Sequence, residues 1–244
     1  MIFNFKISKT NQLHLRKEIK IPLKPSKELA RIFGELLGDG HLQLNHGLVS
    51  FYSKDINEII KEKKKFYKLF NIKGIVYKKK NKENDYSLFF CSKTLAQFFY
   101  HIGMPDGNKT DQEFSIPSWI LNGLDEIKSN FLSGFYDAEG SIFYTECKNK
   151  QRWKISITQN KRMDLLDNGL IFMNQLRYLL NTFDIKSSPA RTVKGKIRKD
   201  NTKTIGLMFD IEKTSFINFH KYINFENRNK RRKLSAQTSE TYIN

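Results

Sequence analysis

Two stretches of this chain repeat each other. Leu29 to Leu42 reads LARIFGELLGDGHL, and Asn130 to Phe143 reads NFLSGFYDAEGSIF. Aligned on Gly34 and Gly134, both follow one pattern: apolar, x, Gly, x, x, x, small, acid, Gly. The small residues are Gly38 and Ala138, the acids Asp39 and Glu139, and the closing glycines Gly40 and Gly140. From 39 to 139 the offset is 100 residues. A repeat of this kind constrains the fold more than any single motif, because both copies must build the same supersecondary unit.

The segments after the two copies match in order. After Gly40 the alternation predicts strands at His41–Asn45 and Leu48–Ser53, a helix from Asp55 to Phe70, strands at Ile75–Lys79 and Tyr86–Cys91, and a helix from Lys93 to Ile102. After Gly140 come strands at Ser141–Cys147 and Arg152–Thr158, a helix from Arg162 to Phe183, strands at Pro189–Lys194 and Thr204–Ile211, and a helix from Lys213 to Ile223. The fold class is therefore α+β, with two pseudosymmetric αββαββα repeats. Residues 26–104 and 128–225 are the repeats. Residues 105–127, with Pro105, Gly107, Pro117 and Gly123, form a linker with a short helix near Ser118–Leu124. Residues 1–25 read as a basic N-terminal arm and 226–244 as a basic tail opening on RNKRRK. For the tail, a frayed solvated end and an added phosphate contact are equal readings.

The motif segments have a physical logic as helices. Gly34 and Gly38 lie four apart and share a face, as do Gly134 and Ala138. Glycine costs a helix about 1 kcal/mol relative to alanine, so two need a reason. Small faces at this spacing let helices meet backbone to backbone. Pairing the two motif helices brings their C-terminal ends together, with Gly40 and Gly140 as left-handed residues that stop them. Asp39 and Glu139 then sit side by side where helix ends already carry about −0.5 charge. A bound cation resolves both conflicts. Oxygen ligands select Mg2+, with the carbonyls of Gly38 and Ala138 free to join the two acids. Mn2+ is expected to substitute for it, and Ca2+ to bind without replacing it in chemistry.

Charge identifies the partner. Lys and Arg number 43 against 25 Asp and Glu, a net +18, which favours a polyanion. With 39% hydrophobic residues the chain has material for a core. No apolar run approaches the roughly 20 residues of a membrane span, and no signal-peptide core opens the chain, so an intracellular protein is expected. Cys91 and Cys147 are too few for a disulfide framework, and no Cys/His zinc pattern is present. On Arg152–Thr158, Trp153, Ile155 and Ile157 alternate with Arg152, Lys154, Ser156 and Thr158; on His41–Asn45, Leu42 and Leu44 alternate with His41, Gln43 and Asn45. A polar antiparallel ribbon of this kind fits the DNA major groove. Lys78, Lys80, Arg191 and Lys194 lie in basic clusters suited to phosphates. The facing of Ser141–Cys147 is open, and the Lys61–Lys65 run reads as a solvated helix face.

IFGELLGDG and LSGFYDAEG resemble the two signature nonapeptides of the LAGLIDADG homing endonucleases, of the monomeric two-motif type. The resemblance spans about Ser26 to Ile223. It implies paired motif helices at the junction of two halves, and curved sheets forming a saddle on double-stranded DNA. It also implies metal binding by Asp39 and Glu139. A family lysine near the end of each fourth strand maps to Lys93 and Lys213, and a glutamine ending the second strand maps to Gln159. Its first-half counterpart is Ser53, with Lys54 beside it. The implied activity is a staggered double-strand break in a long asymmetric target, made by a monomer. A maturase acting on intron RNA and a non-catalytic DNA-binding regulator are the alternatives. No splicing block flanks the motifs, so a freestanding, intron-encoded enzyme is expected.

Overall fold

The computed structural model describes residues 2–4, 19–79, 85–147 and 150–240. The first repeat comprises α1 (Lys27–Gly38), β1 (Gly40–Gln43), β2 (Leu48–Ser53), α2 (Ile56–Phe70), β3 (Ile75–Lys78), β4 (Tyr86–Cys91) and α3 (Lys93–His101). The connector holds a 3-10 turn (Lys109–Asp111) and α4 (Ser118–Leu121). The second repeat comprises α5 (Asp125–Glu139), β5 (Gly140–Cys147), β6 (Lys150–Arg162), α6 (Leu166–Asn181), β7 (Arg191–Val193), β8 (Thr204–Ile211) and α7 (Phe216–Asn218). Each sheet is antiparallel, ordered β1-β2-β4-β3 and β5-β6-β8-β7. Gly40 pairs with Phe51 and Gly140 with Ile157, so the repeats share one register. Among the described residues no helix is long and apolar enough to cross a membrane.

In the first repeat polar residues set the helix starts. The Ser26 hydroxyl accepts from Leu29 N at 3.2 Å, Asp55 caps α2 through Asn57 N at 2.8 Å, and Ser92 caps α3 through Leu95 N at 3.2 Å. The α1–α5 pair forms the centre. A Cβ on Gly34 would meet the carbonyl oxygen of Phe131, and Phe135 N at 2.9 Å. One on Gly134 would meet the Arg31 oxygen, and Glu35 N at 3.1 Å. These contacts are backbone on backbone, so nothing can give way, and glycine is required. Phe33, Phe131 and Phe135 flank the seam, fully buried.

Several sequence expectations change. Gly40 and Gly140 are not left-handed: neither is among the positive-φ glycines, and Gly140 is extended (φ −72°, ψ 143°). Each is glycine because a Cβ would strike the preceding turn, at Leu36 Cα and O (both 2.7 Å) or Tyr136 O (2.5 Å). The helix thus runs straight into the strand. Strand β6 extends to Arg162, because Thr158 to Arg162 still pair with Met208 to Thr204. Its polar end, Gln159, Asn160 and Lys161, hid that continuation. The helix expected over Lys213–Ile223 breaks into a 3-10 turn, α7 and a π turn (Phe219–Ile223), closed by Asn224 at φ 54°. The tail forms α8 (Arg228–Glu240), and Asn227 Oδ1 accepts from Asn229 N and Lys230 N, both at 3.1 Å. At the arm, Phe3 is buried against Phe98 and Trp119, with Phe3 N donating to Leu23 O at 2.8 Å. Lys65 is not solvated: its side chain is 19% exposed and pairs with Glu35 and Glu62 at 2.5 and 2.9 Å.

Candidate active site

The paired helices deliver Asp39 and Glu139 to one place. Gly38 packs on Ala138, and a Cβ there would lie 3.2 Å from Glu139 Cγ. Asp39 opens to solvent on one side while protein groups crowd its carboxyl on the other, and Glu139 is half-buried. Burial, then the neighbouring Glu139, push the Asp39 carboxyl up to about 6; Lys109 and Lys230 pull it back only in part. Burial also raises Glu139, opposed by Lys109, by a hydrogen bond from Gln159 and by Lys230. The register explains the Gln159 contact: it stands two residues past Ile157, the partner of Gly140.

Two lysines that the sequence reading missed complete the site. Lys109 Nζ donates to the carbonyls of Leu37 (2.7 Å), Gly38 and Leu36 (3.4 Å), closing α1. Lys230 Nζ donates to those of Asp137 (2.6 Å) and Tyr136 (3.4 Å), closing α5. Each cation sits where its helix dipole is most negative. They are a pseudosymmetric pair, each just beyond the last helical segment of its repeat. The dipeptide Asn-Lys at 108–109 and 229–230 does not single them out, because it also occurs at 81–82, 149–150 and 160–161. Burial lowers Lys109 to about 8, although Glu139 and Asp39 favour its charge.

Lys93 and Lys213 are not brought to the acids. Lys93 is exposed and packs on the Gly47 turn, its N 2.9 Å from a Cβ built there, at the far end of the β1–β2 hairpin. Lys213 is exposed two residues past Ile211, which pairs with Ile155 on the far side of β6 from β5. Proximity to the fourth strand drew the sequence assignment, but those strand ends point away from the helix junction. Ser53 occupies the first-half position of Gln159 and is turned to Glu58, whose Oε2 accepts from its hydroxyl at 2.9 Å. Glu58 adds a third negative charge near Asp39, absent from the sequence reading.

The donor set fits a hard divalent cation. It consists of carboxylates and carbonyls, and the raised Asp39 shows a pocket that disfavours further negative charge despite two lysines. Of the two carbonyls expected to help, that of Gly38 is shared with Lys109. Another acidic group, Glu35, Asp137 and Glu226, lies within 4.8 Å of itself beside the seam. Arg31 bridges all three, with Nε 3.1 Å from both Glu35 and Glu226, and Lys65 and Lys61 add further charge. That group is a compensated ion-pair network.

The other expected contacts divide between surfaces. His41 and Gln43 on β1, Arg152, Lys154 and Ser156 on β6, and Arg191 on β7 lie on the outer faces of the sheets, opposite the core. Ile142 faces inward on β5, which turns Ser141, Phe143 and Thr145 outward. Asn45, Lys54 and Lys194 are exposed in turns or just past strands. Lys78 shares the side of Tyr86, its Nζ 5.8 Å from that ring, and so points away from the outer face. Lys80 lies outside the described residues.

The family model for a LAGLIDADG-like domain matches residues 126–224. The tRNA-splicing ligase RtcB of Pyrococcus furiosus is 34% identical over 175 residues, 66% of this chain and 18% of that one. Glutamine–fructose-6-phosphate aminotransferase of Methanocaldococcus jannaschii is 29% identical over 228 residues, 93% of this chain and 19% of that one. The chain thus spans less than a fifth of the length of either relative. The LAGLIDADG homing endonuclease I-GzeII in complex with its DNA target overlays with a TM-score of 0.45 at 11% identity, covering 86% of this chain and 88% of that chain. The second repeat is thus a LAGLIDADG-like domain, and the first repeat shares its motif, its sheet register and its helix pairing.

Proposed function

We propose that the chain is a site-specific endonuclease that hydrolyses both strands of a long, asymmetric DNA duplex, acting as a monomer with Mg2+. The observation that carries this reading is the junction itself: two acids at the ends of two paired helices, each helix end closed by a lysine. A pure binding surface has no use for acids placed against helix dipoles. Asp39 and Glu139 are the residues to hold the cation, with the carbonyls of Gly38 and Ala138 beside them. A divalent cation there supplies stabilisation of the charge that develops on a phosphodiester.

The remaining roles belong to the chain's own groups. Lys109 and Lys230 hold ammonium groups at the junction and offset negative charge on the scissile phosphates. Gln159 fixes the orientation of Glu139 through its hydrogen bond. The outer sheet faces bind the duplex through His41, Gln43, Arg152, Lys154 and Arg191, and Asn45, Lys54 and Lys194 reach flanking phosphates. Two acids serving two strands across a groove produce staggered ends. The relatives support a separable module: one segment recurs in proteins named for a ligase and an aminotransferase, while four-fifths of each lies outside it.

The test is incubation of the protein and Mg2+ with a randomised duplex library. A unique double-strand cut is expected. Asp39→Asn and Glu139→Gln should each lose double-strand cutting and keep binding, with binding steeply weakened by salt. Full cutting by both variants would sink the assignment of the acids.

A further inference from the structure

The two sheets share a register but present different chemistry. Ser156 pairs with Ser141 as Ser50 pairs with His41, one residue in from the closing glycine of each motif. Across from Ser156 on β8 stands Asp210; across from Ser50 on β4 stands Phe89. In the first sheet Phe89 packs edge-on against Tyr52 at 6.4 Å, beside the exposed Ile75 and Tyr77. In the second sheet a carboxylate holds the same place. It accepts from Ser156 Oγ at 2.5 Å and from Arg191 Nη2 at 2.7 Å, and Lys154 Nζ lies 3.7 Å away. Three outer-face residues expected to meet DNA thus converge on one acid.

A carboxylate on a surface that faces a polyanion costs affinity, so its presence needs a reason. Arg191 supplies one. Its side chain is 43% exposed, yet its head is fixed: Nη2 donates to Asp210 and lies 3.6 Å from Met208 Sδ, and Nη1 donates to Ser188 Oγ at 3.3 Å. Guanidinium carries five N–H donors, and these contacts take three at most. The two left over, on Nε and Nη1, lie on different edges of the fork, so a contact with both O6 and N7 of guanine pairs one of them with the Nη2 hydrogen that now rests on the weakly accepting Met208 sulfur. A free arginine would settle on phosphate; one tethered to an acid is directed to base edges, where the acid is tolerated.

We infer that Asp210 is a positioning residue that holds Arg191 to read a guanine under the second sheet, a contact with no counterpart under the first. The inference rests on the reading that the sheets bind duplex DNA, but not on cleavage. Binding selection from a randomised duplex library, without divalent metal, tests it with the full chain. The wild type should enrich guanine at one position in one half of the site. Arg191→Ala and Asp210→Asn should each flatten that position by about tenfold to a hundredfold and leave the other positions intact. Asp210→Asn should also bind unrelated duplex more tightly, because a negative charge has gone. In the Arg191→Ala background, Asp210→Asn should change the base profile no further. An unchanged profile in Asp210→Asn would overturn the inference, as would loss of preference at every position or weaker binding to unrelated duplex. If the wild type enriches no duplex at all, the DNA reading itself fails.

Discussion

Asp39→Asn should separate stability from activity. The Asp39 carboxyl rises from 3.8 to about 6, chiefly through burial and then the charge of Glu139. Its ionised form is therefore the disfavoured one in the fold. A rise of that size corresponds to about 3 kcal/mol at neutral pH. Asp39 is exposed on one side, and screening reduces the figure to about 1–2 kcal/mol. Asparagine resembles the protonated acid, so the variant should be more stable than the wild type by that amount at pH 7.5 in EDTA. The sign follows from linkage: the wild type loses this stability as pH rises from 3.8 through 6, and the two proteins should coincide below pH 3.8. Urea unfolding at pH 7.5 and pH 3.5 measures both. Adding Mg2+ should stabilise the wild type and leave the variant unmoved. A variant less stable than the wild type in EDTA at pH 7.5, with cutting lost, would refute the electrostatic account of the junction.

Three further expectations rest on the same contacts. Gly34→Ala forces a methyl into the Phe131 carbonyl and should destabilise the fold by about 1–3 kcal/mol or more, read as a fall in the urea midpoint. Lys109→Met and Lys230→Met each remove a cation from a helix end, costing about 0.5–1 kcal/mol of stability. Each should slow cutting at least a hundredfold in a single-turnover assay while duplex binding changes little. Glu226, held down to about 2 against burial by Arg31, Lys65 and Lys61, contributes stability above pH 4.5 that is lost as pH falls towards 2. Its side chain is a third exposed, so Glu226→Gln should cost about 1 kcal/mol at pH 7 and only a small part of that at pH 2, by denaturant titration.

The order of elements and the helix pair were legible in the sequence because they rest on local signals: periodicity, caps, and small residues spaced four apart. Asp39 and Glu139 were legible for the same reason, since each lies one residue before a motif glycine; Gln159 came only through the family resemblance, because the strand that carries it is longer in the second repeat than in the first. What escaped detection depends on contacts between distant segments. Lys109 lies in the connector and Lys230 opens the tail. Neither has a neighbour in sequence that marks it as the cap of α1 or α5. Lys109 is even held from the other repeat: Lys161 Nζ donates to its carbonyl at 3.1 Å and to that of Gln112 at 2.6 Å, and Arg198 pairs with Asp111 at 2.7 Å. The Lys61–Lys65 run looked solvated because all five of its residues are charged. Lys65 and Glu62 are half-buried instead, and Lys65 is drawn in by Glu35 and Glu226, which approach from elsewhere.

The pattern of symmetry across the molecule separates what the two halves must share from what they are free to vary. At the junction the match is close: glycine against backbone on both helices, an acid at each end, a lysine on each set of carbonyls. A few ångströms away it lapses. Arg31 and Glu35 face an ion-pair network, while their counterparts Phe131 and Phe135 lie in the core. Ser53 with Glu58 stands opposite Gln159 with Glu139. On the outer faces an aromatic patch answers a charged cluster. Under the proposed cutting of both strands, the two cuts require equivalent groups, because the strands are chemically the same. Recognition carries no such requirement, because the two half-sites can have different sequences. If that division is right, exchanging β8 outer-face residues between repeats should alter which bases are selected and leave the cutting rate on an accepted target unchanged. Exchanging Asp39 for Glu and Glu139 for Asp should do the reverse.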